Sequence, residues 1–192
     1  VCSLGGRLVT TPFAIERTDI DGLLVVRMKQ VADDRGTVRE LFRTSAFAEA
    51  GIAAGPWLQV NATETTEGAI RGLHGEAMTK LVAVVHGEAL GAYVDVRSGS
   101  SSRGKVVTVP LVKGTQVLVP AGVCNGFQSV SPGTSQYLYC FDAEWVPGMP
   151  GVAVNPLDPD LGIVWPLPVD VADRAQLSAK DAALPPLRDV LL

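Results

Sequence analysis

KLVAVVHGEALGAYVDVR, residues 80–97, holds two apolar, β-branched and aromatic runs on either side of His86-Gly87-Glu88. Such side chains suit a pleated, half-buried surface. A short polar break with a glycine joins antiparallel strands, so the spacing predicts a hairpin of KLVAVV against ALGAYVDV. Similar runs lie on both sides of it: DGLLVVRM (21–28), GPWLQVNAT (55–63), GKVVTVPL (104–111), TQVLVPAG (115–122), GFQSV (126–130) and SQYLYCF (135–141). Gly, Pro, Ser and Asn clusters separate them at roughly the 8–12-residue spacing of a sandwich or barrel.

Only two stretches read as helical. TSAFAEAG (44–51) offers Thr44 or Ser45 as a cap and Gly51 as a stop, and a weaker pattern covers Asp170–Ala183. With 13 prolines in 192 residues, long helices elsewhere are not expected. The expected fold is all-β, a jelly-roll sandwich with short peripheral helices. Residues 1–11 read as a loose leader and 12–192 as one domain.

Composition narrows the function. Hydrophobic residues make up 47% and charged ones 19%, which is a globular balance. The net charge of -4 comes without a basic block, so no footprint for nucleic acid is present. One or two arginines still suffice for a diphosphate. No apolar run approaches the roughly 20 residues of a membrane span, and none reads as a signal peptide. Cys2, Cys124 and Cys140 are unpaired by spacing; reduced thiols in a cytoplasm are the expectation.

Polar residues on apolar strands then become the candidates. A metal site fails on counting. The two histidines, His74 and His86, lie twelve residues apart, and no H-x-H pair with a following carboxylate occurs. His86 falls in the expected turn and reads as exposed. No G-x-S-x-G marks a serine nucleophile, and SGSSSRG (98–104) reads as a surface loop. Metal-free acid–base chemistry remains. An imidazole titrates near neutrality, so His74 is the natural base, the bland alternative being a satisfied core histidine.

RGLH (71–74) followed by residues 80–97 resembles the dTDP-4-dehydrorhamnose 3,5-epimerase family of cupin-like enzymes. So do DDRGTVRE (33–40), QVNAT (59–63), VPAGVCNGF (119–127), QYLYCFDAEW (136–145), NPLDPDLGIVWPL (155–167) and LSAKD (177–181). The blocks run in order over about residues 12–190. The resemblance implies a cupin-type jelly roll that dimerises, needs no cofactor or metal, and acts on a nucleotide-linked 4-keto-6-deoxyhexose. By that resemblance His74 is the base, Asp181 orients it, Lys80 stabilises the oxyanion and Tyr139 returns a proton from the opposite face. Arg35 and Arg71 contact the diphosphate or base, with Glu40, Gln59 and Asn61 as polar partners. Arg71 and His74, an odd offset apart, would face opposite sides of an ideal strand; a bulge at Gly72 would reconcile them.

The chain departs from the family in three places. Asn125 stands where a histidine is common and cannot relay a proton near neutrality. The segment from His74 to Lys80 is shorter by about four residues. Cys140 and Trp145 replace a lysine and a tyrosine. These positions, Asn125 and Trp145 among them, fall where the sugar and nucleotide would be recognised. Two further readings stay open: a keto-isomerase on the same scaffold, and a sugar-nucleotide binding protein without turnover.

Overall fold

A computed structural model describes residues 8–192. The first strands are short: β1 (Val9–Thr11), β2 (Ala14–Arg17), β3 (Leu24–Arg27), β4 (Gln30–Asp33) and β5 (Gly36–Arg39), followed by helix α1 (Thr44–Glu49). Longer strands come next: β6 (Gln59–Thr66), β7 (Ile70–Glu76), β8 (Lys80–His86), β9 (Ala89–Asp95), β10 (Val106–Leu111), β11 (Thr115–Val119), β12 (Val123–Ser129) and β13 (Thr134–Phe141). The tail holds β14 (Gly151–Ala153), a 3-10 turn (Pro159–Leu161) and helices α2 (Ala179–Ala182) and α3 (Leu187–Leu191).

Two antiparallel sheets face each other as a cupin-type jelly roll. One runs β2-β3-β11-β8-β13-β6 and the other β10-β9-β12-β7-β14; a smaller sheet, β1-β4-β5, stands apart. Side chains between the main sheets form the central core. Val82 and Val84 of β8, Val117 of β11 and Tyr137 of β13 meet Tyr93 of β9 and Phe127 of β12. Phe127 and Tyr137 stack with ring centroids 4.0 Å apart. The outer faces are covered as well. Phe47 of α1 lies on Leu24, Leu81 and Leu118, while Leu161 and Leu187 of the tail cover Val94 and Cys124. Strands buried on both faces lose the hydrophobic–polar alternation, which is why β8 and β9 read as near-continuous apolar runs.

The expected hairpin at His86–Glu88 does not form. β8 pairs with β11 and β13, whereas β9 pairs with β10 and β12 in the opposite sheet. The break is a corner between sheets, held where Glu88 O accepts from Val130 N (3.0 Å) and Ser135 Oγ (2.7 Å). Both runs are buried on two faces, and each finds its neighbours within its own sheet. His86 is exposed in this corner.

Helix α1 also starts differently. Its N-cap is Arg43, with no side-chain cap, and Thr44 and Ser45 lie near its start. Packing of Phe47 against Phe13 and Phe42 accompanies this placement. Gly51, at φ +75°, does end it. Of the tail expected as helix, only residues 179–182 are helical. Asp170 and Asp173 each accept the N–H two residues on, from Ala172 and Ala175, a local bond that competes with a helix. Of the expected leader, residues 1–7 lie outside the described residues, and Val9–Thr11 pair with Gln30–Ala32.

Candidate active site

At one end of the sandwich the inward-facing rows of the core turn polar. Lys80 continues the row of Val82 and Val84, Tyr139 that of Tyr137, and Asn125 that of Phe127. Strand alternation therefore aims all three between the sheets. Gln59, Asn61 and Thr63 alternate along β6 in the same way, with Asn61 opposite Tyr139. A cavity of about 310 Å³ opens here, lined by these residues with Arg71, His74, Glu76 and, at the rim, Phe141 and Trp145.

Arg71 and His74 reach the same cavity because β7 carries the bulge expected at Gly72. His74 lies opposite Asn125 and Arg71 opposite Phe127, three steps on β7 against two on β12. Gly72 sits at φ +118°, and a Cβ there would come within 2.6 Å of Gly126 Cα and 2.8 Å of Asn125 O. Two backbones touch at this point, so both Gly72 and Gly126 are required.

Asp181 arrives from the tail. Ser178 caps α2 by accepting from Asp181 N at 3.0 Å, and Leu177 bridges to Ile70 at the start of β7. This docks the carboxylate against β7, where it is 7% exposed. Its Oδ1 lies 2.8 Å from His74 Nε2, and Gly72 N donates weakly to Oδ2 at 3.5 Å. Burial pushes the carboxyl up, but the His74 ring and the Gly72 and Ser178 contacts outweigh it and hold it below its ordinary range. An ionised acceptor at Nε2 places the proton there and leaves Nδ1 with its lone pair. His74 is thereby set up to accept a proton.

Tyr139 lines the same cavity. Burial pushes its phenol up to about 12, against the Thr63 hydroxyl and the Arg71 charge. It stays protonated at any ordinary pH. A buried ammonium lines the same cavity. Lys80, its side chain 4% exposed, pairs with Glu76 and donates to Asn125 Oδ1 at 2.6 Å and His74 O at 3.3 Å. Burial pushes the Glu76 carboxyl up, and the Lys80 charge more than reverses this. Arg71 is anchored by Thr65 Oγ1 at 2.9 Å. Gln59 bonds both Asn61 Oδ1 (3.2 Å) and Trp145 N (2.7 Å), tying the rim together.

Arg35 and Glu40 are not brought to this cavity. Arg35 pairs with Asp33 in the β4–β5 turn, its side chain 90% exposed, and Glu40 pairs with Arg43. Conversely, Thr63, Glu76 and Phe141 line the cavity without having been singled out from the sequence. Thr63 was legible by its two-residue spacing from Gln59 and Asn61, and Phe141 by its spacing from Tyr139. Glu76 was legible in the same way, two residues after His74 on β7. Among the described residues no three His, Cys, Asp or Glu side chains gather into a metal cage. Cys124 is buried, its thiol pushed up to about 12, and Cys140 is half-buried; neither lines the cavity.

A family profile described as dTDP-4-dehydrorhamnose 3,5-epimerase matches residues 17–189. The dTDP-4-dehydrorhamnose 3,5-epimerase of Methanothermobacter thermautotrophicus is 30% identical over 185 residues, covering 92% of this chain and 96% of that one. The dTDP-4-dehydro-6-deoxyglucose 3-epimerase of Streptomyces bikiniensis is 36% identical over 143 residues, 70% and 71% of the two chains. Among solved structures, the dTDP-6-deoxy-D-glucose-3,5-epimerase of Legionella pneumophila, in complex with dTDP-4-keto-L-rhamnose, superposes with a TM-score of 0.81. It is 33% identical, over 92% of this chain and 94% of that chain.

Proposed function

This chain belongs to the dTDP-4-dehydrorhamnose 3,5-epimerase family, and on that premise we propose that it inverts C3, C5 or both of a dTDP-linked 4-keto-6-deoxyhexose. Family membership makes it an epimerase, an enzyme of the isomerase class. The hydrogens on C3 and C5 flank the C4 ketone, so removal of either leaves an enolate. Such a reaction needs a base, an acid on the opposite face, and a donor for the developing oxyanion. Nδ1 of His74 takes the proton while Asp181 stabilises the imidazolium. The Lys80–Asn125 end of the cavity meets the oxygen at C4, and Tyr139 returns a proton from across the ring. No metal takes part in these steps.

One observation carries this reading above the others. His74, paired with Asp181 at 2.8 Å, and the protonated Tyr139 line a single cavity. Arg71 supplies a guanidinium for the diphosphate, and Gln59, Asn61 and Trp145 form the rim on which the nucleotide rests. The Streptomyces bikiniensis relative is named as a 3-epimerase and the Methanothermobacter one as a 3,5-epimerase; the number of centres inverted by this chain lies between those two outcomes.

The chain acts as a homodimer in the cytoplasm. Strand β1 is exposed along its length and β5 over residues 36–38, with Val38 74% exposed; both are edges of their sheet, and exposed edges call for cover. In the dimer Arg35 and Glu40 complete the nucleotide site of the other copy, which accounts for their distance from this cavity. Product analysis by NMR after incubation with dTDP-4-keto-6-deoxyglucose tests the reaction. Inversion with the ketone still at C4 supports it; a ketone moved to C3 indicates a keto-isomerase, and unchanged sugar a binding protein.

A further inference from the structure

The acceptors around Lys80 leave it no hand for the substrate. An ammonium has three N–H donors and no acceptor, and Lys80 directs them to Glu76 Oε2, Asn125 Oδ1 and His74 O. Glu76 also offsets its charge inside the cavity. The contact with Lys80 has a second consequence. Only an oxygen can face an ammonium at 2.6 Å, so the orientation of the Asn125 amide is settled and its Nδ2 points away from the lysine. The Tyr137 hydroxyl stands on the Nδ2 side, but an amide nitrogen carries two N–H donors, which leaves one for the cavity that Asn125 lines.

Resting on the epimerase reading above, we propose that Asn125 is the catalytic donor to the C4 oxyanion and that Lys80, clamped by Glu76, is a positioning residue acting through it. The donated bond at Oδ1 withdraws density from the amide and strengthens its N–H as a donor. A neutral amide held this way needs no reorganisation when charge develops on the substrate, which is where such donors derive their effect. Asn125 therefore takes over stabilisation of the oxyanion at a position where it cannot relay a proton.

Asn125→Leu separates the two assignments by sign. If Asn125 is the donor, kcat for deuterium incorporation from D2O into dTDP-4-keto-6-deoxyglucose falls about 100-fold or more, with KM changed by less than about threefold. If Lys80 is the direct donor, the same variant frees one of its N–H groups and kcat holds or rises, which overturns the proposal. Asn125→His restores a ring N–H while its other nitrogen accepts from Lys80, and it recovers at least about tenfold over Asn125→Leu; no recovery contradicts the role. Where Asn125→Leu fails to fold by thermal melting, Asn125→Asp decides. It keeps the acceptor for Lys80 and removes the N–H, and kcat above a tenth of wild type refutes the assignment. Wild-type protein that incorporates no deuterium refutes the epimerase reading itself, whatever the variants do.

Discussion

His74 and Asp181 lie 107 residues apart in sequence and 2.8 Å apart in space, joined because the tail folds back on β7 through Leu177 and Ile70. Asp181→Asn keeps the shape of this contact and offers Nε2 a donor in place of an acceptor, favouring the other tautomer. It should lower kcat on the order of 10²- to 10⁴-fold and leave dTDP affinity within a few-fold. Steady-state kinetics alongside calorimetric titration of dTDP measure both. Equal losses in both would mean that the carboxylate holds the cavity together and does not orient a base.

Tyr139→Phe separates the two halves of the reaction. Abstraction needs only His74, so deuterium exchange at the original face continues, while inverted product falls by about 10²-fold or more. The phenol's ionisation, pushed up to about 12, has a further effect. A group whose folded value is raised stays protonated, so the rate shows no alkaline limb from Tyr139 below about pH 10. A limb near pH 9 that vanishes in Tyr139→Phe would contradict the buried phenol.

Gly72→Ala forces a methyl group to within 2.6 Å of Gly126 Cα at a positive φ. Neither backbone can yield without moving Arg71 or His74. The variant should lose about 2 kcal/mol or more of stability and nearly all turnover. Urea unfolding reads the first; a fold and rate close to wild type would show that the bulge is dispensable.

Asp95 anchors the loop at 98–104 and is 0% exposed. Its carboxylate accepts from Ser100 Oγ (2.5 Å), Ser102 Oγ (2.6 Å) and Arg97 Nε (2.9 Å). Burial pushes it up, and these donors more than reverse this, holding it well below the usual carboxylate range. A carboxyl depressed by folding stabilises the native state above its unfolded value, and that stability drains away as pH falls below it. Asp95→Asn should cost about 2 kcal/mol at pH 7 and flatten the loss of stability between about pH 4 and pH 2. Denaturation midpoints across that range test it.

Val38→Asp places a charge on the exposed strand β5. Sedimentation should show a dimer for the wild type and a monomer for the variant, with dTDP affinity reduced together with the dimer. A monomeric wild type would require another role for Arg35 and Glu40.

Much of this site was legible because strand alternation is local. QVNAT places its polar residues by two-residue spacing and Tyr139 follows Tyr137 by the same step, while the glycine in RGLH foretold the bulge that puts Arg71 and His74, three residues apart, in one cavity. What could not be read depends on partners distant in sequence. Gly87 and its neighbours suit a hairpin turn as well as a corner between sheets, and only pairing with β11, β12 and β13 distinguishes them. The start of α1 follows Phe47 into its packing site, which no capping rule encodes. Arg35 and Glu40 lie on a sheet this chain does not cover.

Incubation of dTDP-4-keto-6-deoxyglucose in D2O with the wild type and with His74→Ala, followed by mass spectrometry and NMR of the sugar, tests the central claim. Deuterium is expected at C3, C5 or both with the wild type and none above background with His74→Ala. Equal incorporation by both proteins, or none by either, would contradict it.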